Sequence, residues 1–236
     1  MRRIHRPAVL RARPIDPYFS KVGLLLHFDG SDGSPTFVDQ IGHAVTAGGS
    51  AQISTAAPVF GSGSALLNGS TDYLSIADVA DLEFGSLDHT IECWLTPTTT
   101  LNGSTAQKVI ACKWGASTPN LAWLLGYDTG TLNYNISNNI SSPAASGAIT
   151  LTAGVPVHVA ACRAGTTLYM LAGGALLGTA SVGSLGISDT TQAINIGRKG
   201  NGAAYMDCRI DEFRITIGVA RYTAAYAVPT GPFPDR

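Results

Sequence analysis

Short apolar stretches recur along this chain, and each is followed by a cluster of Gly, Ser, Asn or Asp residues. Successive stretches are spaced by roughly 8–15 residues, the rhythm of a chain in which short strands alternate with tight turns. No window of a dozen residues keeps a 3.6-residue apolar period, so long helices are excluded. The only helix we expect is a single turn at residues 219–222. The pattern predicts an all-β sandwich rather than a parallel α/β fold.

The strand predictions follow from side-chain alternation and from turn residues. Residues 89–95 place apolar side chains on one face and polar side chains on the other, and residues 131–136 do the same. Gly173 and Gly174 separate two further stretches and predict a hairpin with a type I′ turn, which needs two residues with positive φ. Residues 96–106 and 137–147 are predicted loops. The predicted strands are 21–28, 51–54, 64–67, 73–76, 89–96, 107–113, 122–127, 131–136, 157–163, 167–172, 193–196 and 208–216.

Composition limits the class of protein. Hydrophobic residues make up 45% and charged residues 13% of the chain, which excludes intrinsic disorder because disorder requires low hydrophobicity and high charge. Residues 18–236 show no composition break and are predicted to be one domain. The formal net charge is −1, so no overall field attracts nucleic acid or an anionic membrane. No apolar stretch is long enough to span a bilayer.

Residues 1–17 form a basic, proline-containing arm. Its first 13 residues contain no acidic side chain, and no apolar run follows them, so the arm is not a secretory signal and synthesis in the cytoplasm is expected. One interpretation is a frayed, solvated terminus; another is an extended arm that anchors the domain on a larger assembly. Contact with nucleic acid is the third. The anchoring interpretation assigns that role to Arg2, Arg3, Arg6, Arg11 and Arg13.

The four cysteines are widely spaced, with no C-x-x-C pair, which excludes the usual zinc frameworks. Three of them lie in apolar runs, where a free cysteine behaves as a small core residue. A disulfide would need an oxidising compartment. We therefore predict free, buried thiols at Cys93, Cys112, Cys162 and Cys208.

Eight motifs occur in the order found in one known family. They are LLLHFDGSDGS, LLNGSTDYLSI, TIECWL, VHVA, LYMLAGGAL, INIGR, IDEFRI and GVARYT. Together they resemble laminin-G-like jelly rolls of the concanavalin A superfamily over roughly residues 18–235. The resemblance implies a two-sheet antiparallel jelly-roll sandwich, here with an extended N-terminal arm. Two departures, the absence of a tryptophan before His158 and Gly173-Gly174 in place of Asp-Gly, weaken any inherited ligand site.

The GVARYT motif and the proline-rich tail look like the subset of this family found in bacteriophage virion and tail proteins. That narrower resemblance implies a non-enzymatic structural protein on the virion surface, as a capsid decoration or a tail or fibre component. The arm would then contact other virion proteins, and a homo-oligomer matching the particle's symmetry would be natural. The alternative is a carbohydrate-binding module for host or environmental glycans, which should work without residues 1–17.

Enzymatic activity is not expected. Sandwich glucanases that resemble this fold carry E-x-D-x-E, which places three acids on one strand face. Only Glu83, Glu92 and Glu212 are present here, and none has that spacing. Nor does the chain contain a G-x-S-x-G elbow or a P-loop. His27 and His158 lie within predicted strands and are interpreted as hydrogen-bonded structural residues.

No cofactor is required, but the resemblance allows a structural calcium ion where the first strand's turn meets the last strand. Calcium prefers carboxylate and carbonyl oxygens. By position, the family's ligands would correspond to Asp29, Asp32, Asp39 and Asp211. The alternative is that these residues form turns, with Asp211 in a salt bridge to Arg209 or Arg214.

Glycan binding is the commonest non-catalytic use of this fold. Sugars dock on aromatic faces and form hydrogen bonds with amides. The alternative places the tryptophans Trp94, Trp114 and Trp123 in the core, where aromatic residues usually pack. The glycan-binding hypothesis assigns the site to Trp114, Tyr127, Tyr134, Tyr205 and Asn201.

Overall fold

A computed structural model describes residues 15–236, which form fifteen β-strands and two short 3₁₀ turns. The 3₁₀ turns are Phe19–Lys21 and Ala80–Leu82. The strands are β1 Val22–Leu26, β2 Val45–Gly48, β3 Gln52–Ser54, β4 Ser64–Asn68, β5 Tyr73–Ile76, β6 His89–Pro97, β7 Lys108–Trp114, β8 Leu121–Asp128, β9 Thr131–Ile136, β10 Ala144–Ala148, β11 Val157–Ala164, β12 Thr167–Ala172, β13 Ala175–Ser181, β14 Ile194–Ile196 and β15 Asp207–Ile217.

Two antiparallel sheets pack face to face, as the sequence predicts. The eight-stranded sheet has the order β13-β12-β11-β6-β15-β4-β3, and β1 joins it beside β15. Strand β15 is long enough to pair with β4 along its first half and with β1 along its second half. The seven-stranded sheet has the order β10-β9-β8-β7-β14-β5-β2. The all-β sandwich is therefore confirmed.

The core lies between the two sheets and follows from strand alternation. In β9, Leu132, Tyr134 and Ile136 are fully buried, and the residues between them are partly exposed. The inward side chains of β8, including Trp123 and Tyr127, join the same cluster. Because the inward face of a strand such as β9 is apolar, a register slip of one residue would bury polar side chains, and the register is strongly specified.

The outer face of the eight-stranded sheet is covered by the C-terminal segment that follows β15. Tyr222 and Tyr226 pack against Ala160, Cys162 and Leu171 on this face. The expected helical turn at residues 219–222 is absent. Both the carbonyl of Val219 and the N–H of Arg221 bind the hydroxyl of Thr90, at 3.0 and 2.8 Å, and this tertiary contact replaces local helical hydrogen bonds.

The strand predictions hold for most of the chain, and the predicted hairpin is confirmed: Gly173 and Gly174 have φ values of 57° and 85°, with Ala172 opposite Ala175. Three regions differ. Strand β2 was not predicted, β13 continues well beyond the hairpin, and β10 begins inside the predicted loop 137–147 and ends one residue after it. These strands carry few fully buried side chains, so apolar alternation gives no signal there.

Asp16 is part of the folded domain. Its backbone N–H donates to the carbonyl of Arg236 at 2.9 Å, so the two ends of the described chain meet. Its carboxylate is buried and pairs with Arg214 and Arg221. The domain therefore includes residues that the sequence analysis assigned to the arm. The proposed anchoring residues Arg2, Arg3, Arg6, Arg11 and Arg13 lie outside the described residues.

All four cysteines are free and buried, as predicted. Burial raises the pKa of the thiols of Cys112 and Cys162 to about 12, and burial also raises the pKa of the Cys93 and Cys208 thiols well above their ordinary value. A thiol at such a pKa is not ionised near neutral pH, and the thiolate is the reactive species. These cysteines therefore act as small core residues.

Candidate functional site

The outer face of the seven-stranded sheet carries many amide side chains. In β9, Asn133 and Asn135 point away from the core, and the amide of Asn135 donates to the Asn133 side-chain oxygen at 2.9 Å. In β14, Asn195 points to the same side between Ile194 and Ile196, but it is 4% exposed and its amide is bonded to the Ala193 carbonyl and to Arg198. The amides of the partly exposed Asn133 and Asn135 offer both donors and acceptors, which suits a ligand rich in hydroxyl groups.

An arginine on this face is held by three side chains, and we call Tyr73, Asn195, Arg198 and Tyr205 the Arg198 cluster. The guanidinium carbon lies 3.3 Å from the centroid of the Tyr73 ring. Its Nε donates to the Asn195 side-chain oxygen at 3.1 Å, and Nη1 donates to the Tyr205 hydroxyl at 3.4 Å. Stacking and hydrogen bonding together fix the guanidinium plane.

A tight hairpin places further polar groups beside this cluster. Lys199 and Ala203 form a β-bridge, and the exposed Asn201 lies at the tip between them. The N–H of Gly200 donates to the carbonyl of Trp114 at 3.1 Å. A Cβ at position 200 would lie 2.6 Å from that carbonyl oxygen, so this close approach requires glycine.

Three of the five residues predicted to bind glycans meet in this region. Trp114 is half-buried at the end of β7, Tyr205 belongs to the Arg198 cluster, and Asn201 lies on the hairpin. The prediction for Tyr127 and Tyr134 is wrong, because both side chains are fully buried in the core, where no sugar reaches them. Of the tryptophans, Trp123 is a core residue, whereas Trp94 and Trp114 are half-buried.

Sequence reasoning missed Tyr73, Asn195 and Arg198 as site residues. Lys199–Ala203 is a turn, but Arg198 precedes that turn and belongs to the sheet face. The only local signal is the position of Asn195 between two buried isoleucines. No sequence signal connects Tyr73 to Arg198.

The structure does not bring the four expected calcium ligands together. All four carboxylates accept main-chain N–H groups instead. Asp29 and Asp211 cap the same loop, Asp29 from Ser62 and Asp211 from Val59 and Phe60. Asp32 accepts from Thr55, and Asp39 accepts from Leu25, Ile41, Gly42 and His43. Asp211 pairs with neither Arg209 nor Arg214, so the proposed salt bridge is wrong. Loop capping thus engages at least one oxygen of each carboxylate, and calcium binding at this position stays a prediction.

Another acidic group is the only one among the described residues with metal-like spacing. It consists of Asp78, Glu83 and Asp189. The ammonium of Lys113, whose side chain is 2% exposed, forms ion pairs with Asp78, at 2.6 Å, and with Glu83. Lys113 thus supplies the positive charge that a metal ion would supply.

A buried ionic network lies on the covered outer face of the eight-stranded sheet. Glu92 is fully buried and accepts hydrogen bonds from Arg214, at 2.8 and 2.9 Å, and from Tyr222, at 2.9 Å. His158 donates to the same carboxylate at 3.2 Å and contacts the Tyr226 hydroxyl. Although burial raises the pKa of Glu92, Arg214 and His158 lower it to about 2. The network ties the GVARYT segment to the sheet, which gives that motif a structural role.

A second histidine lines a small cleft. The cleft has a volume of about 240 Å³ and lies between residues 27–40 and the C-terminal segment. His27 Nδ1 lies 2.8 and 2.9 Å from the carboxylate oxygens of Glu212, which also accepts the N–H of Phe233. Burial lowers the pKa of His27, but Glu212 outweighs this effect and raises it. This pair fastens the C-terminal segment to β1 and β15, in accord with the structural roles predicted for His27 and His158.

Comparison with known proteins places the fold in a family. A family model for the concanavalin A-like lectin/glucanases superfamily matches residues 68–219. No curated protein has a significantly similar sequence. Neither 3₁₀ turn of the described residues has the length or apolar character needed to cross a membrane.

The similar solved structures include binding domains of clostridial-type toxins. The binding domain of Paraclostridial mosquitocidal protein 1 superposes with a TM-score of 0.66 at 16% identity, over 84% of this chain and 49% of that chain. The botulinum neurotoxin serotype D binding domain gives 0.64 at 15% identity, over 85% and 49%. The serotype G binding domain gives 0.62 at 13% identity, over 81% and 46%.

The chain thus spans about half the length of these structures, and at such identities the likeness shows the fold alone. These neighbours are toxin binding domains rather than bacteriophage proteins, so they lend no support to the expected virion role. The family match covers more than half of the sequence and agrees with the observed sandwich. The chain therefore belongs to the concanavalin A-like lectin and glucanase superfamily.

Proposed function

We propose that this domain binds carbohydrate on the outer face of its seven-stranded sheet. The observation that carries the proposal is a fixed arginine, Arg198, bonded to Tyr205 and followed directly by the hairpin that carries Asn201 and contacts the Trp114 carbonyl. Aromatic rings supply apolar faces for sugar rings, and the amides and guanidinium supply hydrogen bonds for hydroxyl groups. On the opposite sheet, the C-terminal segment covers the outer face around Ala160, Cys162 and Leu171.

Two further facts support a binding rather than a catalytic role. The solved structures similar to this chain are binding domains, although the superfamily also contains glucanases. Each of the three glutamates is engaged by a positive or hydrogen-bonding partner: Glu83 by Lys113, Glu92 by Arg214 and Glu212 by His27.

A glycan array probed with the whole chain tests the proposal, followed by titration calorimetry on any glycan that binds. We expect Trp114→Ala and Tyr205→Ala to weaken binding at least about tenfold, the effect of losing one well-packed aromatic contact of about 1.4 kcal/mol. Tyr169→Ala is the matched control, because Tyr169 is a half-buried tyrosine on the opposite sheet. Absence of any glycan signal, or equal losses in all three variants, would refute the proposal.

We also propose that the basic segment 1–14 attaches the domain to a larger assembly, of which a virion is one example. The supporting observation is that the described chain enters the sandwich at Asp16, beside Arg236 and Arg214 on the eight-stranded sheet. That side is opposite the proposed glycan face, so an attached domain would present the glycan face outward. Deletion of residues 1–14 should abolish co-sedimentation with the assembly and leave glycan binding unchanged; retained co-sedimentation would contradict this role.

A further inference from the structure

Among residues 15–236, Arg198 is the one arginine on the proposed glycan face, and no side chain of that range neutralises its charge. It makes hydrogen bonds to Asn195 and Tyr205 and stacks on Tyr73, all of which are uncharged partners. No described carboxylate forms an ion pair with it. By contrast, Arg214 and Arg221 on the other sheet both pair with carboxylates.

The lack of a counter-charge is notable because the folded domain is acidic. Residues 15–236 carry ten Lys and Arg residues against sixteen Asp and Glu residues. Asp72 is next to Tyr73 in the sequence, but it does not act as a counter-charge to Arg198. Its side chain is 3% exposed, and its oxygens accept the N–H groups of Ser50 and Asn68. The next residue in the chain, Lys199, is half-exposed and adds a second positive charge.

The guanidinium is also positioned to bind a ligand without rearranging. An arginine side chain has five N–H donors, and two of them are used by Asn195 and Tyr205. The three remaining donors belong to Nη1 and Nη2, which together form the fork that matches a carboxylate or a sulfate. Because its partners already order the side chain, little conformational entropy is lost when an anion binds.

We infer that the ligand of this face is an acidic glycan, whose carboxylate or sulfate binds Arg198 while its sugar rings contact Tyr205 and Trp114. This inference rests on the proposed function and specifies the class of sugar. Carboxylates and sulfates present the same pair of oxygens to a guanidinium, so the structure assigns the anionic group and the experiment distinguishes the two.

Titration calorimetry with matched pairs of oligosaccharides tests the inference. The pairs are 3′-sialyllactose and lactose, 3′-sulfolactose and lactose, and trigalacturonic acid and its methyl ester. We expect the acidic member of at least one pair to bind at least tenfold more tightly than its neutral partner, with an affinity that falls as salt rises. Which pair responds identifies the anionic group.

Variants then connect the preference to this side chain. Arg198→Gln should remove the tenfold preference, and Arg198→Lys should restore only part of it, because lysine is a point charge without the planar fork. Lys199→Gln, which leaves the Tyr73 stack intact, should reduce the preference less. Lys21→Gln is the charge-matched control, since Lys21 is exposed and directly precedes β1, which belongs to the other sheet. Circular dichroism and melting temperature verify that each variant folds.

The outcomes separate the two hypotheses. If neutral and acidic partners bind equally, or if Arg198→Gln leaves the preference unchanged in a folded protein, the acidic-glycan inference is wrong while carbohydrate binding stands. If no oligosaccharide binds on the calorimeter or on the array, both are wrong. A preference that is lost in Arg198→Gln and kept in Lys21→Gln supports the inference.

Discussion

Replacing Glu92 by glutamine is the sharpest test of how the C-terminal segment is held on the sandwich. The substitution keeps the shape of the side chain and removes one buried negative charge. Arg214 would keep Asp16 as its only carboxylate partner, and Tyr222 and His158 would lose the anionic acceptor to which they now donate. A buried guanidinium with part of its counter-charge removed is costly, since neither water nor another anion replaces it.

The size of this effect follows from the burial of the ion pair and from the pKa of Glu92. Breaking a buried ion pair by removing one partner typically costs about 3–5 kcal/mol. The pKa of Glu92 is lowered from 4.5 to about 2, which corresponds to about 3 kcal/mol of preferential stabilisation of the charged form. We therefore expect Glu92→Gln to lower the free energy of unfolding by about 3 kcal/mol at pH 7, or the melting temperature by about 6–12 °C.

Urea denaturation followed by tryptophan fluorescence measures this change, with Asp128→Asn as the matched control. Asp128 is half-exposed and its carboxylate makes no ion pair with any residue from 15 to 236, so its substitution should change stability by less than about 0.5 kcal/mol. Because the pKa of Glu92 is lowered in the folded state, its contribution is complete above about pH 4.5 and is lost as pH falls toward 2. The difference between wild type and Glu92→Gln should therefore be roughly halved by pH 3. A loss no larger than that of the control, or one independent of pH, would refute the reasoning.

Three other predictions concern buried ionisable groups. Burial raises the pKa of Asp211 to about 7, against the opposing effect of the N–H groups of residues 59–60. The folded state then holds a proton that the unfolded state releases, so the free energy of unfolding should fall as pH rises from about 4 to 7. Asp211→Asn should flatten that slope in urea titrations. Lys113→Met leaves two acids without their cation and should lower the unfolding free energy by about 2–4 kcal/mol in thermal melts, whereas the half-exposed Lys108→Met should have little effect. A thiol reagent at pH 8 should react only after denaturation, and rapid reaction of the native protein would contradict the burial of Cys93, Cys112, Cys162 and Cys208.

Most of the fold was predictable because strand signals are local. Alternation in β9 and the paired glycines of the β12–β13 hairpin each reside in a few consecutive residues, and the structure confirms both. Strand β10 was missed because its sequence, AASGA, has only one fully buried residue and no apolar face. It is a strand because β9 pairs with it over five positions, and pairing of that kind is decided by a neighbour rather than by the segment itself.

The candidate site was only partly predictable, for a related reason. Aromatic and amide residues near turns identified Trp114, Tyr205 and Asn201, but the same rule selected Tyr127 and Tyr134, which the core absorbs. Residue type alone does not tell an exposed aromatic ring from a buried one when the strand's two faces are not assigned. The four aspartates show the same ambiguity, since capping of a loop and coordination of calcium require the same oxygens.

The sequence by itself determined the sandwich, because turn chemistry and two-residue periodicity act between near neighbours and specify which face of each strand is buried. It also determined that the cysteines are core residues. Only the tertiary structure decided which charges are neutralised. The sheet order places Glu92 beside Arg214 and gives Asp72 to main-chain N–H groups, and it leaves Arg198 on Tyr73 without an anion. Coulomb interactions depend on distance in space, and strands distant in sequence acquire those distances only when the sheets assemble.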